Sequence, residues 1–419
     1  MLSSYPVTES SRYDVAISGG GFAGMTLAIA LAQDGLQVLL IEKGAISDQL
    51  APAFDGRVSA IALGSQRILD SVGAWRAMAT HAEPIRDIRV SDGDTPFFLH
   101  YDHNEIRSQT NGAPFGYIVE NRYIRHALVQ RLQHENITLA QHCSVSSITS
   151  DATGVHITLS DGRQTQAALL VGADGKFSSI RSMAGIKDIR ASYRQTAIVC
   201  TICHEHPHEG LAQERFLPAG PFAVLPMTGN RSSLVWVEPD DRVQLYMDLP
   251  DDEFVQEITE RTGNYLGTIS VEGKRFCYPL TLVHANQYVQ GRIVLAGDAA
   301  HAIHPIAGQG VNLGFRDVGV LAELLSRQHR LGLDIGAPAV LQHYQRWRRF
   351  DNFTMLAVTD TLTRLFSNTL LPLRLARGVG MWAVGQTKPL KRFFMLHAMG
   401  LTGDIPAMAK QRSGTNPHD

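Results

Sequence analysis

Tyr13 to Ser18 (YDVAIS) is a short, mostly apolar run with β-leaning residues, followed at once by three glycines. The next stretch, MTLAIALAQD, favours a helix and is stopped by Gly35; a second apolar run, Val38 to Ile41, ends at Glu42. The pattern predicts strand, tight turn, helix and strand. Farther along, Leu169 to Val171 and Ile293 to Leu295 read as buried strands, each running into a turn that carries an acid. After Asn312, LGFRDVGVLAELL reads as a long helix. Alternating runs such as Ile85 to Val90 and Ser232 to Glu238 predict strands with one covered face.

A chain of 419 residues fits two domains, and an apolar share of 44% is ordinary for a protein with a sizeable core. The net charge of −2 gives no basic excess for neutralising phosphates, which argues against a general nucleic-acid binder. Four cysteines make no disulfide framework, so a reducing cytoplasm is expected. Val15 to Ala32 carries no charge, but glycines interrupt it, and the opening MLSSYPVTESSRYD has neither a basic start nor an apolar core. Strand, turn and helix are expected there, with no membrane span.

Gly19-Gly20-Gly21-Phe22-Ala23-Gly24 lies between the first strand and the first helix and has the G-x-G-x-x-G spacing of a dinucleotide fingerprint. Gly19 permits the tight turn, Gly21 lets backbone approach a pyrophosphate, and Gly24 allows close packing of helix on strand. The helix amino terminus offers free N–H groups and partial positive charge to phosphate. Glu42 ends the second strand where a carboxylate can accept from a ribose, with Lys43 beside it. This pattern alone does not separate FAD from NAD.

Two further motifs bear on that choice: Val171-Gly172-Ala173-Asp174-Gly175-Lys176-Phe177-Ser178-Ser179-Ile180-Arg181, and Leu295-Ala296-Gly297-Asp298-Ala299-Ala300-His301 with Pro305-Ile306-Ala307-Gly308-Gln309-Gly310-Val311-Asn312. In this order and spacing the three motifs resemble the flavoprotein aromatic hydroxylases of the para-hydroxybenzoate hydroxylase fold, over about residues 12 to 330. Phe54-Asp55-Gly56-Arg57-Val58-Ser59, Gly116-Tyr117-Ile118-Val119-Glu120-Asn121, Glu214-Arg215-Phe216-Leu217-Pro218 and Tyr344-Gln345-Arg346-Trp347-Arg348-Arg349 are similar to the ubiquinone-biosynthesis (Ubi-type) branch. The resemblance implies FAD, with Asp298 on the ribityl chain and the helix near Gly310, Val311 and Asn312 aimed at the flavin pyrimidine edge. Gly308 and Gly310 would let backbone lie against the ring system. It also implies Arg57 at the pyrophosphate, Arg122 as a second FAD contact, and Asp174 in a motif shared by FAD and pyridine-nucleotide binding.

What the resemblance implies chemically is hydroxylation of a polyprenyl phenol or benzoquinol with O2, through a flavin C4a-hydroperoxide. The cofactor supplies the chemistry, and the protein positions the ring and excludes water. No acid–base catalyst is assigned; Pro305 and His301 are candidates for the substrate side of the flavin. With a single G-x-G-x-x-G there is no separate NAD(P)H domain, so NAD(P)H visits transiently or a reductase delivers electrons. Two other readings remain open: a hydroxylase of a small soluble aromatic (or a prenyl reductase), and a non-catalytic FAD-bound member of a biosynthetic assembly.

The expected fold class is α/β: a Rossmann-like FAD-binding domain with an inserted mainly-β substrate domain and a C-terminal helical region. The FAD part is assigned to residues 1–75, 107–182 and 279–330, the substrate part to 76–106 and 183–278, and the helical region to 331–419. Cys200-Thr201-Ile202-Cys203-His204-Glu205-His206-Pro207-His208 looks like a zinc cluster, but its cysteines lie three apart on an expected strand and point to opposite faces, so no metal is assigned. From Arg346 to Gly400 there are nine Arg/Lys against two Asp, interleaved with apolar residues such as Leu370, Trp382 and Phe393. That composition suits docking on an anionic membrane surface, peripheral on the inner membrane, or packing on other ubiquinone-biosynthesis proteins. The last residues, from about Lys410, are expected to be disordered.

Overall fold

A computed structural model of the chain describes residues 12–50, 56–93, 95, 98–302, 308–366 and 371–411. Pro305, the side chains of residues 356–376 and 379, and residues 412–419 fall outside the described residues.

The first sheet is built on parallel strands. Ile293–Leu295, Gln164–Gly172, Arg12–Ser18, Val38–Glu42 and Ile137–Gln141 lie side by side in that order. The helix Phe22–Gln33 carries the chain from Arg12–Ser18 to Val38–Glu42, and nine of its residues are buried. Such all-round burial is why its sequence is apolar without a polar stripe. Parallel strands covered on both faces are also why Val15, Ala16, Ile17, Leu39, Leu40, Leu170 and Val171 show no alternation; all are fully buried.

A second sheet, mostly antiparallel, runs His301–Ala302, Ile269–Ala285, Asp188–His204, Arg231–Pro239, Pro221–Met227, Leu211–Phe216, Asp87–Asp92 and Phe98–Asp102. One face packs Trp236, Phe222 and Ile198 against Phe254 and Ile258 of the helix Asp251–Thr262. The other face is turned toward the first sheet's edge. Val58–Ala62, Gly116–Glu120 and Ala82–Ile85 form a small third sheet.

The run Ile85 to Val90, expected as one strand, is split at Arg86. Ala82–Ile85 pairs with Gly116–Glu120, whereas Asp87–Asp92 pairs with Leu211–Phe216. The chain changes sheets there, and the Arg86 N–H is taken by the Gly210 carbonyl at 2.9 Å.

The helix Pro338–Phe366 returns to the first sheet, where the Tyr344 hydroxyl donates to the Leu295 carbonyl at 2.9 Å. Leu371–Gln386 and Lys388–Ala398 follow. Part of the basic excess of this region is spent internally. Arg377 donates to the buried Asp92 at 3.0 Å, Lys391 pairs with Glu105, and Arg348 lies in the core. No helix among the described residues is long and apolar enough to cross a membrane.

Candidate functional site

Parallel register decides which loops meet. Ser18 stands beside both Ile41 and Gly172, and Gly172 beside Leu295. The turns that follow these strands therefore emerge together at the carboxyl edge of one sheet, the usual ligand position in α/β folds. Three motifs more than a hundred residues apart become neighbours in this way.

The glycines divide into two kinds. A Cβ on Gly24 would lie 1.9 Å from the Gly19 carbonyl oxygen, and one on Gly19, whose φ is +112°, would lie 2.4 Å from that of Ala173. These two close the turn. Around Gly21 and Gly310 a Cβ would meet nothing within 4 Å, because both face a cavity of about 470 Å³. Two helices, Phe22–Gln33 and Gln309–Arg330, begin at that cavity with no side-chain cap and no acid in the first turn. Their free N–H groups and positive ends suit the phosphates and the electron-rich edge of a reduced flavin.

Asp298, Gly308 and Val311 also line the cavity. Asp298 opens its side chain onto the cavity, with buried residues on either side of it in the chain. Burial pushes its carboxyl pKa up, and His301 and Lys176 pull the other way. Gly308 adopts φ +61° at the start of the second helix, where a side chain would also press on the Cβ of Ala60 at 2.9 Å.

Other expected residues also make bonds within the protein. Both oxygens of Glu42 accept from the loop itself, one from the Gly20 N–H at 2.6 Å and the other from the Gly44 N–H at 3.2 Å. Lys43 is exposed beside it. Asp174 caps the short helix Ser179–Met183, accepting from the N–H groups of Ser179 and Ile180. The Asn312 side chain accepts from the Ala62 N–H at 2.9 Å and donates to the Ala60 carbonyl at 2.8 Å, which pins the helix start to Val58–Ala62. Arg122 pairs with Glu120 at 2.7 Å, and Arg57 is exposed with its guanidinium 6.0 Å from the Tyr278 ring.

His301 is not on the cavity. Its Nε2 bonds Asp317 at 2.6 Å, with both side chains almost wholly buried. Asp317 also accepts from the Gly297 N–H at 2.9 Å, from Arg348 Nε at 2.7 Å and from Asn352 at 3.2 Å. A substrate-side position for His301 therefore does not match this geometry: its pull toward a buried carboxylate sets its direction. In the segment Cys200 to His208, where no metal is assigned, the His204 ring bonds the His206 carbonyl and Ser232, and the His208 ring bonds the Met227 carbonyl.

Arg181 follows the two serines of the second motif, and its spacing there predicts no role. It is buried, donating to the carbonyls of Ala299 and Lys176 and pairing with Asp188, so it ties the second motif to the third. A buried arginine after Ser-Ser was the available signal. Glu214, in the segment Glu214 to Pro218, lies in the cavity wall.

The FAD binding domain family matches residues 12–349. The chain is 51% identical to the ubiquinone hydroxylase UbiL of Rhodospirillum rubrum, over 94% of this chain and 92% of that protein. It is 36% identical to the 3-demethoxyubiquinol 3-hydroxylase of Escherichia coli, over 93% of this chain and 98% of that one. The chain belongs to the Ubi-type family of FAD-dependent hydroxylases. Solved structures agree in fold: the p-nitrophenol 4-monooxygenase PnpA of Pseudomonas putida superposes with a TM-score of 0.75 at 20% identity, covering 94% of this chain and 99% of that one. HpxO of Klebsiella pneumoniae, solved with FAD and uric acid, gives 0.71 at 18%, covering 92% and 97%. As a Ubi-type hydroxylase the protein is an FAD-dependent monooxygenase, and its open glycines, uncapped helix ends and Asp298 form a cradle that such a cofactor fits.

Proposed function

We propose that this hydroxylase acts on the ring of a polyprenyl phenol or benzoquinol in ubiquinone biosynthesis, using O2 and electrons from NAD(P)H or a reductase. Gly19, Gly21 and Gly24 with Glu42, Lys43 and Arg57 hold the nucleotide end of FAD. Asp298, Gly308, Gly310 and Val311 hold the flavin end, while Asp174, Asn312 and Arg122 brace the loops between. When bound and reduced, FAD supplies oxygen activation. The chain's own part is to orient the ring and keep water from the reacting atoms.

The observation that carries this reading is the two-sided cavity. One side is the glycine cradle; the other is an apolar sheet face of Pro221, Ala223, Leu225, Val235 and Val237. That pairing suits an aromatic ring and a hydrocarbon chain clamped over a flavin, and the names of the two Ubi relatives support the substrate class. Peripheral docking on membrane completes the proposal. Trp382 and Phe393 are 58% and 53% exposed, beside exposed Lys388 and Arg392, which suits anionic lipid where a polyprenyl substrate resides. Turnover assays with phenols bearing or lacking a prenyl chain test the reading. The expected result is substrate-dependent O2 uptake with a hydroxylated prenyl product; equal use of short soluble phenols, or no turnover, overturns it.

A further inference from the structure

Strand register fixes how the cavity wall is arranged. Glu214 lies directly across from Ala223, and Ala223 across from Val235, so the three form one row over three strands. Leu225 and Val237 sit two residues along from Ala223 and Val235 and share their face. All five line the cavity. Four are aliphatic, and Glu214 places a carboxylate at the end of that apolar row on the second sheet, whereas Asp298 lies in the turn after Ile293–Leu295.

We propose that Glu214 positions the substrate by accepting a hydrogen bond from a ring hydroxyl. The proposal rests on the aromatic-hydroxylase reading above and names the group by which that substrate is held. An ionised carboxylate only accepts, so the ligand atom facing it must donate. A phenol or quinol O–H donates; a methyl ether does not. The bond is charge-assisted and lies against an apolar wall, where such bonds are strong. Drawing the proton toward Glu214 leaves more electron density on the phenolic oxygen and on the ring carbons ortho and para to it. Those are the carbons a flavin hydroxylase oxidises. The remaining row, Ala223, Leu225, Val235 and Val237, offers hydrocarbon contact to the rest of the ligand. Anchoring one hydroxyl at a fixed end of the row also determines which ring carbon faces the cradle.

The test uses the FAD-loaded full chain, titrated with a prenylated phenol and with its methyl ether, following the change in flavin absorbance on binding. FAD affinity is measured separately for each variant. The wild type is expected to prefer the phenol by about ten- to hundredfold, the range for a hydrogen bond to a charged group. Glu214→Gln, whose amide oxygen still accepts but carries no charge and whose NH2 can donate to the ether, should bring the two ligands to within a few-fold of each other while FAD affinity is unchanged. Glu214→Asp keeps the charge on a shorter arm and should retain a preference for the phenol at reduced affinity; it also serves if the glutamine variant does not fold. Undiminished discrimination by Glu214→Gln, phenol binding by Glu214→Asp equal to wild type, or loss of FAD with both ligands weakened alike, overturns the role of Glu214. Failure of the wild type to bind either ligand refutes this proposal together with the substrate reading, whereas discrimination that survives in the variant refutes this proposal alone.

Discussion

Replacing Arg348 by methionine removes the guanidinium that pairs with Asp317 while keeping most of the side chain's volume. Asp317 is fully buried and Arg348 is 1% exposed, so neither charge has water to fall back on. Burial alone would raise the Asp317 carboxyl, but His301 and Arg348 outweigh it and hold it well below the ordinary range. The variant leaves that carboxylate with the Gly297 N–H, His301 and Asn352 only. Breaking a buried pair from one side costs about 3–5 kcal/mol, far more than the same pair contributes relative to an apolar substitute. The Gly297 N–H bond holds the turn carrying Asp298, so FAD should also dissociate faster. Guanidinium unfolding followed by tryptophan fluorescence, with FAD release followed by flavin emission, measures both. The double variant Asp317→Asn with Arg348→Met should recover much of the loss, since no net charge is then buried. A loss below about 1 kcal/mol for Arg348→Met, or a double variant no better than the single, would refute the reasoning.

Gly24→Ala should fail to give a stable fold, because its methyl collides with backbone, whereas Gly21→Ala should fold with an unchanged unfolding midpoint and bind FAD roughly tenfold more weakly, about 1.4 kcal/mol; calorimetry on flavin-free protein separates the two. Burial lowers the pKa of His284 to about 4 from 6.5, so the unfolded chain takes up that proton first and stability falls as pH drops from 6.5 toward 4. His284→Gln should flatten unfolding midpoints across that window, and an unaltered slope excludes His284 as its source. Trp382→Ser with Phe393→Ser should cut co-sedimentation with anionic vesicles several-fold without changing FAD content; equal sedimentation removes those residues from the membrane contact.

What could be seen in the sequence was what depends on neighbours in the chain. The glycine turn, the helix behind it and the uncharged strands follow from local spacing, and parallel pairing then carries Gly21, Asp298 and Gly310 to one cavity. Side-chain direction was harder, because the partner is remote. Asn312 bonds Ala60 across 252 positions, and no spacing rule forecasts that its amide serves a strand. The direction of His301 is a second case: Asp317, which it bonds, and Arg348 beyond it lie on two later helices. The break at Arg86 was invisible because alternation continues through it, while hydrogen bonding does not. The basic tail was legible as composition only, since Arg377 and Lys391 find acids nearly three hundred residues earlier.

Because the cradle is assembled from turns near residues 20, 174 and 298 and from a helix beginning at Gln309, it cannot exist on a nascent chain until about three-quarters of the polypeptide has been made. The first strand and helix leave the ribosome early, with their anion-seeking end exposed and no opposite wall. Flavin capture is then a late event that fastens distant stretches of chain to one another. Products of interrupted translation that stop before Gln309 would be colourless, and yellow colour would report that the turn at Asp298 and the helix from Gln309 have docked.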